Sequence, residues 1–457
     1  MAEPGEASTK AARTAASRLR PLNGVAAMSH SYRIGMIGCG TVGSGVLELL
    51  CRRRADLSAL LGRDLEVVRI AVRDRERPRH HVYGFVDPDV FTDDLAGVIR
   101  GDDIDLVVEV AGGVDAPRDW IVDALRHGKD VVTANKATLA FHGEEIFRVA
   151  HEEHRCVYYE ASVAAAIPVI EMLQNGLVGN QITRLCGILN GTCNYILTRM
   201  EVEGLGYSDA LREAQEKGFA EADPTLDVSG GDTAHKLALL ARIITNKYVS
   251  VHRIHTEGIE SITAEDISFA ATLGYRVKLL AIAHLTEDHR WDLRVHPALV
   301  RREEVLAQVA NETNAVQVRG DAAGPMLVYG SGAGSFPTAS SVVADVVRAA
   351  KGDRPAGGAI NGNSPVFATI DEIALRNYVR MTVIDLPGVM GRVTSFLGMR
   401  GISISSMQQP EAKHGQPISI VFVTHQVGDR VLTSALDELA EKTSLIHGPT
   451  TRIRIED

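Results

Sequence analysis

Clustered cysteine is missing from this chain. Its five cysteines, Cys39, Cys51, Cys156, Cys186 and Cys193, are scattered, odd in number and form no CxxC. That argues against a disulfide framework or a zinc site and suits a reducing cytoplasm. Basic excess is missing too: the formal net charge is −10 and no basic stripe stands out, so nucleic acid is not an expected partner. No apolar run reaches the length of a membrane span. Residues 1–30 are rich in Ala, Ser and Arg but lack the apolar core of a secretory signal, and Glu3 and Glu6 spoil a transit-peptide reading. A disordered extension is expected there, with Met28 an alternative start. What remains is 457 residues, 45% hydrophobic and 23% charged, the composition of a soluble protein with two or three domains.

The N-terminal third reads as a dinucleotide-binding unit. Arg33–Ile37 is a short apolar strand, Gly38-Cys-Gly40-Thr41-Val42-Gly43 follows at once, and Val46, Leu47 and Leu50 begin a helix. A GxGxxG between strand and helix is far more specific than the bare pattern. The first glycine permits the tight turn, the second lets the backbone approach a pyrophosphate, and the third allows close helix–strand packing. Further strands are expected over 65–72, 105–110, 130–133 and 156–159, with helices near 115–127 and 143–154 between them. That alternation predicts a doubly wound parallel sheet over 31–160. After the second strand comes Arg73-Asp74-Arg75-Glu76-Arg77. An acid there favours NAD and an arginine accommodates the 2′-phosphate of NADP; with both present, Arg73 and NADP are preferred and NAD stays open. Ala111-Gly112 and Thr133-Ala-Asn-Lys136 end the next two strands at the edge where ligands bind, so Lys136 is a candidate for cofactor or substrate contact.

The segment Asp232–Thr245 predicts a helix that Asp232 can cap. Leu239, Leu240 and Ile243 share a face with Lys236, and Leu237, Ala241 and Ile244 line the other side. A helix apolar nearly all round is a buried helix. Lysine is seldom buried without a partner, and Asp232 stands four residues upstream. A dry lysine with one carboxylate is a candidate acid/base group; a structural ion pair or a lysine snorkelling to the surface is the plainer reading. Just upstream, Glu221, Asp223 and Asp227 add three more carboxylates in a loop broken by Pro224 and Gly230-Gly231. No His or Cys stands at ligand spacing there, so a cationic group such as a substrate ammonium fits the loop better than a metal.

Residues 161–335 alternate less regularly, as an α+β unit does. Glu160–Pro168 opens it with small residues, and Leu189–Asn194 reads as a strand ending in a polar turn in which Cys193 is a small filler rather than a nucleophile. Gly332-Ala-Gly334 leads into a helix over 339–350; such a lead suits phosphate, or simply brings the chain back to the dinucleotide domain near 335–360. Lys351–Gly358 reads as a linker, after which 376–457 has the order βαββαβ of a ferredoxin-like domain.

The string Ala214-Gln-Glu-Lys-Gly218-Phe-Ala-Glu221-Ala-Asp223-Pro224-Thr-Leu-Asp227-Val-Ser-Gly230-Gly-Asp232-Thr-Ala-His-Lys236 resembles the signature of homoserine dehydrogenases. The resemblance extends over residues 31–457, through the nucleotide fingerprint, Thr133–Lys136, Glu160–Val163, Asn190-Gly191-Thr192 and Gly332–Gly334. The tail, with Asp385-Leu-Pro-Gly388-Val389, resembles an ACT domain. By this resemblance Lys236 is the proton donor and Asp232 its partner. Glu221 holds the substrate ammonium with Asp227 nearby, Lys136 meets nicotinamide and substrate, and Gly334 reaches the cofactor from the far side. The resemblance also implies a sodium ion held by the side chain of Glu160 and the carbonyls of Val163, Ala165 and Ile167. The family usually has glycine where this chain has Ala164-Ala165-Ala166, and often threonine where it has Cys193.

The implied reaction is reduction of aspartate 4-semialdehyde to homoserine, with threonine the expected inhibitor at Asp385, Gly388 and Val389, where a helix start can hold a carboxylate. ACT sheets usually pair side by side, which predicts a homodimer or homotetramer. Two other readings stay open: an acylating semialdehyde dehydrogenase, which needs an activated cysteine, and a non-catalytic sensor of dinucleotide and amino acid. On the modular reading the tail is dispensable for chemistry.

Overall fold

The computed structural model describes residues 31–77, 79, 81–355, 365–410, 415–441 and 446–456. The extension expected over 1–30 lies outside the described residues, as does the expected linker beyond Pro355.

Six strands, β1 (Tyr32–Ile37), β2 (Leu65–Ala71), β3 (Phe91–Thr92), β4 (Leu106–Glu109), β5 (Asp130–Thr133) and β6 (Val157–Tyr158), form one sheet in the order β3-β2-β1-β4-β5-β6. All its pairings are parallel. Every residue of β4 is buried, as expected of a strand covered on both faces. The strand order reverses between β1 and β4, and this switch point is where open α/β sheets bind ligands. The Ser335–Lys351 helix contributes Ala339, Val342 and Val346 to the core that holds Val46 and Leu47. Gly45 makes that approach possible, since a Cβ there would stand 2.8 Å from Ser335 Oγ and 3.1 Å from Ala339 Cβ.

The rest of the strands join a second sheet. They are β7 (Ile182–Ile188), β8 (His255–Thr256), β9 (Tyr275–Leu285), β10 (Trp291–Arg301), β11 (Thr313–Gly320), β12 (Gly324–Ser331), β13 (Phe367–Ala368), β14 (Ala374–Ile384), β15 (Ile404–Gln408), β16 (Pro417–Thr424), β17 (Val427–Gly428) and β18 (Thr451–Glu456). Its main path runs β12-β11-β7-β9-β10-β18-β14-β16-β15. The last four strands, with the Val389–Gly398 and Asp429–Ala440 helices, are the expected ferredoxin-like unit. Its attachment is not the expected one. β18 pairs parallel with β10, Ala298 facing Arg454 and Val300 facing Glu456. Tyr378, Val421, Ile453 and Ile455 lie in the same core as Leu237 and Val295. The tail is therefore welded to the middle domain edge to edge. A strand as buried as β10 cannot leave its edge open, and periodicity reveals a strand but not its partner.

Three local expectations change. Asp232 does not cap its helix: Gly230, in the left-handed region at φ 83°, holds that position, and Asp232 lies in the first turn. The helix after β5 starts at Lys136 rather than near Gly143, because Asn135 caps it with a bond from Thr138 N. Asn190 likewise caps a helix over Gly191–Glu203 instead of sitting in a polar turn.

Candidate active site and cofactor cleft

The Gly231–Thr245 helix is buried from Asp232 to Ala241, as its sequence demands. In its first turns the Asp232 carboxylate, side chain 5% exposed, holds two ammonium groups. Lys236 Nζ lies 2.8 Å from Oδ2, and Lys136 Nζ, at the start of its own helix, 3.1 Å from Oδ1. Asp232 N-terminal to Lys236 by four residues is the favourable order for such a pair. Lys236 also donates to Leu189 O at 2.7 Å, the carbonyl that ends the run after β7. Asn190 Nδ2 donates to Asp232 Oδ2 at 2.9 Å and to Asp227 Oδ1 at 2.7 Å, so one amide spaces the two carboxylates.

Burial alone would raise the Asp232 carboxyl, but the Lys236 and Lys136 ammoniums together hold it well below the usual carboxylate range. The Asp232 charge raises Lys136, with smaller help from Asp227 and Glu221. Asp227 is raised by burial and by Asp232, against the Asn190 hydrogen bond. Glu221 is exposed and within electrostatic reach of Lys136. Asp223 only stabilises its own turn, accepting from Thr225 N at 3.1 Å. Lys136, side chain 36% exposed, is thus the open member of the group and Lys236, at 10%, the dry one.

Lys136 reaches this place through the dinucleotide sheet. Gly38, at φ 98°, lets the turn after β1 pass the one after β4, since a Cβ would stand 2.8 Å from Ala111 Cα. Gly40 faces open space, where a phosphate can approach, and the helix Thr41–Arg52, with Val42 in its first turn, starts there. A Cβ on Gly43 would stand 2.7 Å from Gly38 O, so the third glycine serves packing. Ser335 Oγ bonds Thr41 O at 2.6 Å, and Gly334, at φ 112°, turns the chain into that contact from the other side. These features fit a bound dinucleotide: an open glycine edge beneath unsatisfied N–H groups at a helix start.

A cavity of about 640 Å³ continues from this loop, lined by Gly40, Ser44, Arg77, Arg79, His81 and Ser335 among others. Arg79 is committed to the carbonyls of Asp74 and Arg77 and lies over the Phe91 ring, whereas Arg77 is exposed beside it. Arg73 is exposed and does not line the cavity.

Sequence models describing homoserine dehydrogenase and its NAD-binding domain match residues 168–347 and 38–160, and one describing the ACT domain matches 377–442. The homoserine dehydrogenase of Pseudomonas aeruginosa is 41% identical over 435 residues, 93% of this chain and 98% of that one. That of Bacillus subtilis is 40% identical, over 90% of this chain and 95% of its own. A crystal structure of a homoserine dehydrogenase from Thiobacillus denitrificans superimposes with a TM-score of 0.87 at 38% identity, covering 94% of this chain and 99% of that one. The chain belongs to the homoserine dehydrogenase family. It is an oxidoreductase that uses a nicotinamide dinucleotide and carries an ACT domain. A hyperthermophilic archaeal homoserine dehydrogenase in complex with NADPH shares its fold over 72% of the chain, with a TM-score of 0.60 at 25% identity. No helix among the described residues is long and apolar enough to cross a membrane.

In this family member the loop after β6 holds a buried Glu160, whose carboxylate accepts from Ile170 N and Glu171 N at 2.8 Å each. Among the described residues it has no ion-pair partner, and burial pushes its carboxyl up to about 7. Ala165 takes φ 47°, a conformation that costs a side-chain-bearing residue strain, at one of the positions where the family usually has glycine. Its carbonyl accepts from Ser341 Oγ, and the Ile167 carbonyl accepts from Val169 N at 2.8 Å. A carboxylate and backbone carbonyls, each with a lone pair beyond these bonds, are the donor types a hard monovalent cation takes; Val163 is buried in the same loop. Cys193 is fully buried, its thiol pushed well up by burial, and it donates to Asp227 O at 3.2 Å. It is a filler that makes one weak bond. In the tail, Gly388 at φ 84° precedes the Val389–Gly398 helix, Val389 is buried, and Asp385 accepts from Gln409 Nε2 at 3.3 Å.

Two residues escaped the sequence reading. Asn190 was visible as a match to the family, but its bridging role needs the two carboxylates in three dimensions. Glu109, fully buried at the end of β4, accepts from Ala111 N, Gly112 N and Thr133 Oγ1 at 2.9, 3.3 and 2.7 Å. Asn135 Nδ2 adds a bond to Gly113 O at 3.0 Å, so the loops after β4 and β5 are locked together beneath Lys136. A charged residue closing an otherwise apolar strand was the signal that could have found Glu109.

Proposed function

We propose that the enzyme reduces L-aspartate 4-semialdehyde to L-homoserine with NADPH, in the cytoplasm, on the route to threonine, methionine and isoleucine. One observation carries the assignment of roles: two ammonium groups share the buried Asp232 carboxylate next to an acidic loop. Lys236, held by Asp232 and Leu189 O, donates the proton to the alkoxide oxygen as it forms, and its charge stabilises that oxygen. Lys136 orients the carbonyl at the nicotinamide edge. Asp227 and Glu221 hold the substrate ammonium, with Asn190 fixing the first of them. The dinucleotide, when bound at Gly38, Gly40, Thr41, Val42, Gly43, Ala111, Gly112 and Gly334, supplies the hydride.

Arg77, in the cavity lining, takes the 2′-phosphate, with Arg73, exposed four residues before it, assisting. Sodium occupies the loop of Glu160, Val163, Ala165 and Ile167. Threonine binds in the tail at Asp385, Gly388 and Val389 and inhibits. The enzyme is a homodimer or homotetramer that pairs through β15, the tail edge not already joined to the middle domain. An acylating mechanism has no support, since Cys193 is buried and its thiol is raised. The test is oxidation of NADPH and NADH by the purified enzyme with aspartate semialdehyde. Turnover faster with NADPH, lost on Lys236→Ala, is expected; turnover that survives in a folded Lys236→Ala protein would overturn the assignment.

A further inference from the structure

Asp227 and Asp232, the two carboxylates that Asn190 bridges in the proposed active site, do not stand on their own loop alone. Behind the stretch 228–231, which separates Asp227 from Asp232, lies the short segment 256–259. Ile259 N donates to Val228 O at 2.9 Å. A Cβ on Gly258 would stand 2.3 Å from Val228 O, and one on Gly230 would stand 3.1 Å from Glu257 O, so the two segments are in backbone contact. The second segment is in turn fixed by the tail. Arg454, 1% exposed in β18, donates through Nη1 to Glu257 Oε2 at 2.8 Å and through Nε to Asp429 Oδ1 at 2.8 Å. Arg452 stands behind it, 3.2 Å from Asp429 and 3.7 Å from Glu257. His255 Nε2 meets the other oxygen of Glu257 at 2.7 Å.

We infer that Arg454 and Glu257 are positioning residues for the substrate site: the last strand of the tail, through Glu257 and the segment 256–259, sets the spacing of Asp227 and Asp232. This rests on the roles proposed above, Asp227 toward the substrate ammonium and Asp232 toward the two lysines, and goes beyond them by bringing the tail into the active site. The contacts make a continuous physical path. Arg454 clamps Glu257, Glu257 anchors a segment with no room for a side chain at Gly258, and that segment presses on the backbone between the two acids. Neither Arg454 nor Glu257 touches the dinucleotide cleft, whose loops are fixed separately by Glu109 and Asn135. A shift of β18 relative to β10 therefore reaches the substrate loop and leaves the cofactor loops in place. The tail would then act on substrate affinity rather than on cofactor affinity.

The experiment is steady-state kinetics of full-length Glu257→Asp, Glu257→Gln and Arg454→Lys, with KM measured separately for aspartate semialdehyde and NADPH. Glu257→Asp keeps the charge and shortens the reach, so it tests the position even if the other two fold poorly. Each folded variant is expected to raise KM for the aldehyde roughly tenfold while KM for NADPH moves less than about twofold. The Glu257→Gln/Arg454→Lys double variant should be no worse than the poorer single one, because both break the same contact. Equal changes in both KM values, or none in a folded Glu257→Asp, would overturn the inference. Lys236→Ala is the control: a dead Lys236→Ala with an unaltered Glu257→Asp sinks this inference but spares the catalytic assignment, and an active Lys236→Ala sinks that assignment itself.

Discussion

Two groups of buried charge lie within this fold, and they are built differently. Around Asp232 one carboxylate faces two ammoniums, one of them on the open side of the cleft. At the seam between β10 and β18, Glu456 accepts from both Arg294 and Arg184, and Asp292 pairs with Arg294. Arg454 there divides its guanidinium between Asp429 and Glu257. The seam closes on itself, with His296, fully buried, pushed down to about 3 by burial and by the Arg454 and Arg294 charges, so it stays neutral. The Asp232 group does not close: Lys136, its second ammonium, is part-exposed. Buried charge paired within the core holds elements together, whereas buried charge with a way out is suited to chemistry.

The largest effect expected from breaking this contrast is at Lys236. Lys236→Ala should lose on the order of 10²–10⁴-fold in kcat, the range for a positioned acid/base group, with little loss of fold. A folded variant within tenfold of the parent would place Asp232 with the structural ions. At the seam the effects should reverse: Glu456→Gln should cost about 3–5 kcal/mol of stability, as breaking a buried pair does, and leave kcat per folded molecule nearly unchanged. Truncation after Gly362 goes further. It strips β10 of β18 on its outer edge and leaves Arg294 and Arg184 without Glu456, so the shortened chain should be insoluble or unfolded. A soluble, active truncation would restore the reading of the tail as a separate module.

Cofactor choice gives a smaller, sharper test. Arg77→Ala should raise KM for NADPH roughly tenfold and leave that for NADH nearly unchanged, while Arg73→Ala should do little to either. Were the two variants to exchange behaviour, Arg73 rather than the cavity would read the phosphate.

The legibility of these regions from sequence follows the range of the forces involved. The dinucleotide sheet could be read because its signals are local: a strand, a Gly-rich turn and a helix start within a dozen residues, repeated by alternation. Lys236 and Asp232 were visible because they are one helical turn apart. Lys136 could be placed at a strand end, but its bond to Asp232 joins residues nearly a hundred positions apart, and only the packed helices bring them together. The tail's strands and helices were each close to expectation, because each has its own periodicity. Its seam with β10 was not, because pairing between distant edges leaves no trace in either strand's pattern. The linker over 351–358 therefore suggested an independence that the sheet does not have.

The smallest effect belongs to the loop of Glu160, where charge is neither matched nor put to chemical use. Burial raises Glu160 from 4.5 to about 7 and Asp345, whose Oδ2 accepts from Glu160 N at 2.8 Å, from 3.8 to about 7. Both shifts are upward for acids, so the folded protein keeps protons that the unfolded chain has lost. Their contribution to stability is therefore full below the unfolded values and is lost as pH rises through about 7. Each proton contributes a slope of roughly 1.4 kcal/mol per pH unit in that window. A sodium ion binds only the ionised carboxylate, so it should offset the loss on the alkaline side and do nothing on the acid side. Thermal unfolding followed from pH 5 to pH 8 in sodium chloride and in choline chloride at equal ionic strength should give curves that coincide at low pH. Above neutrality the sodium curve should lie higher by a few degrees. Curves that coincide throughout would mean that no sodium enters this loop, and that Ala165, strained at φ 47°, has closed it.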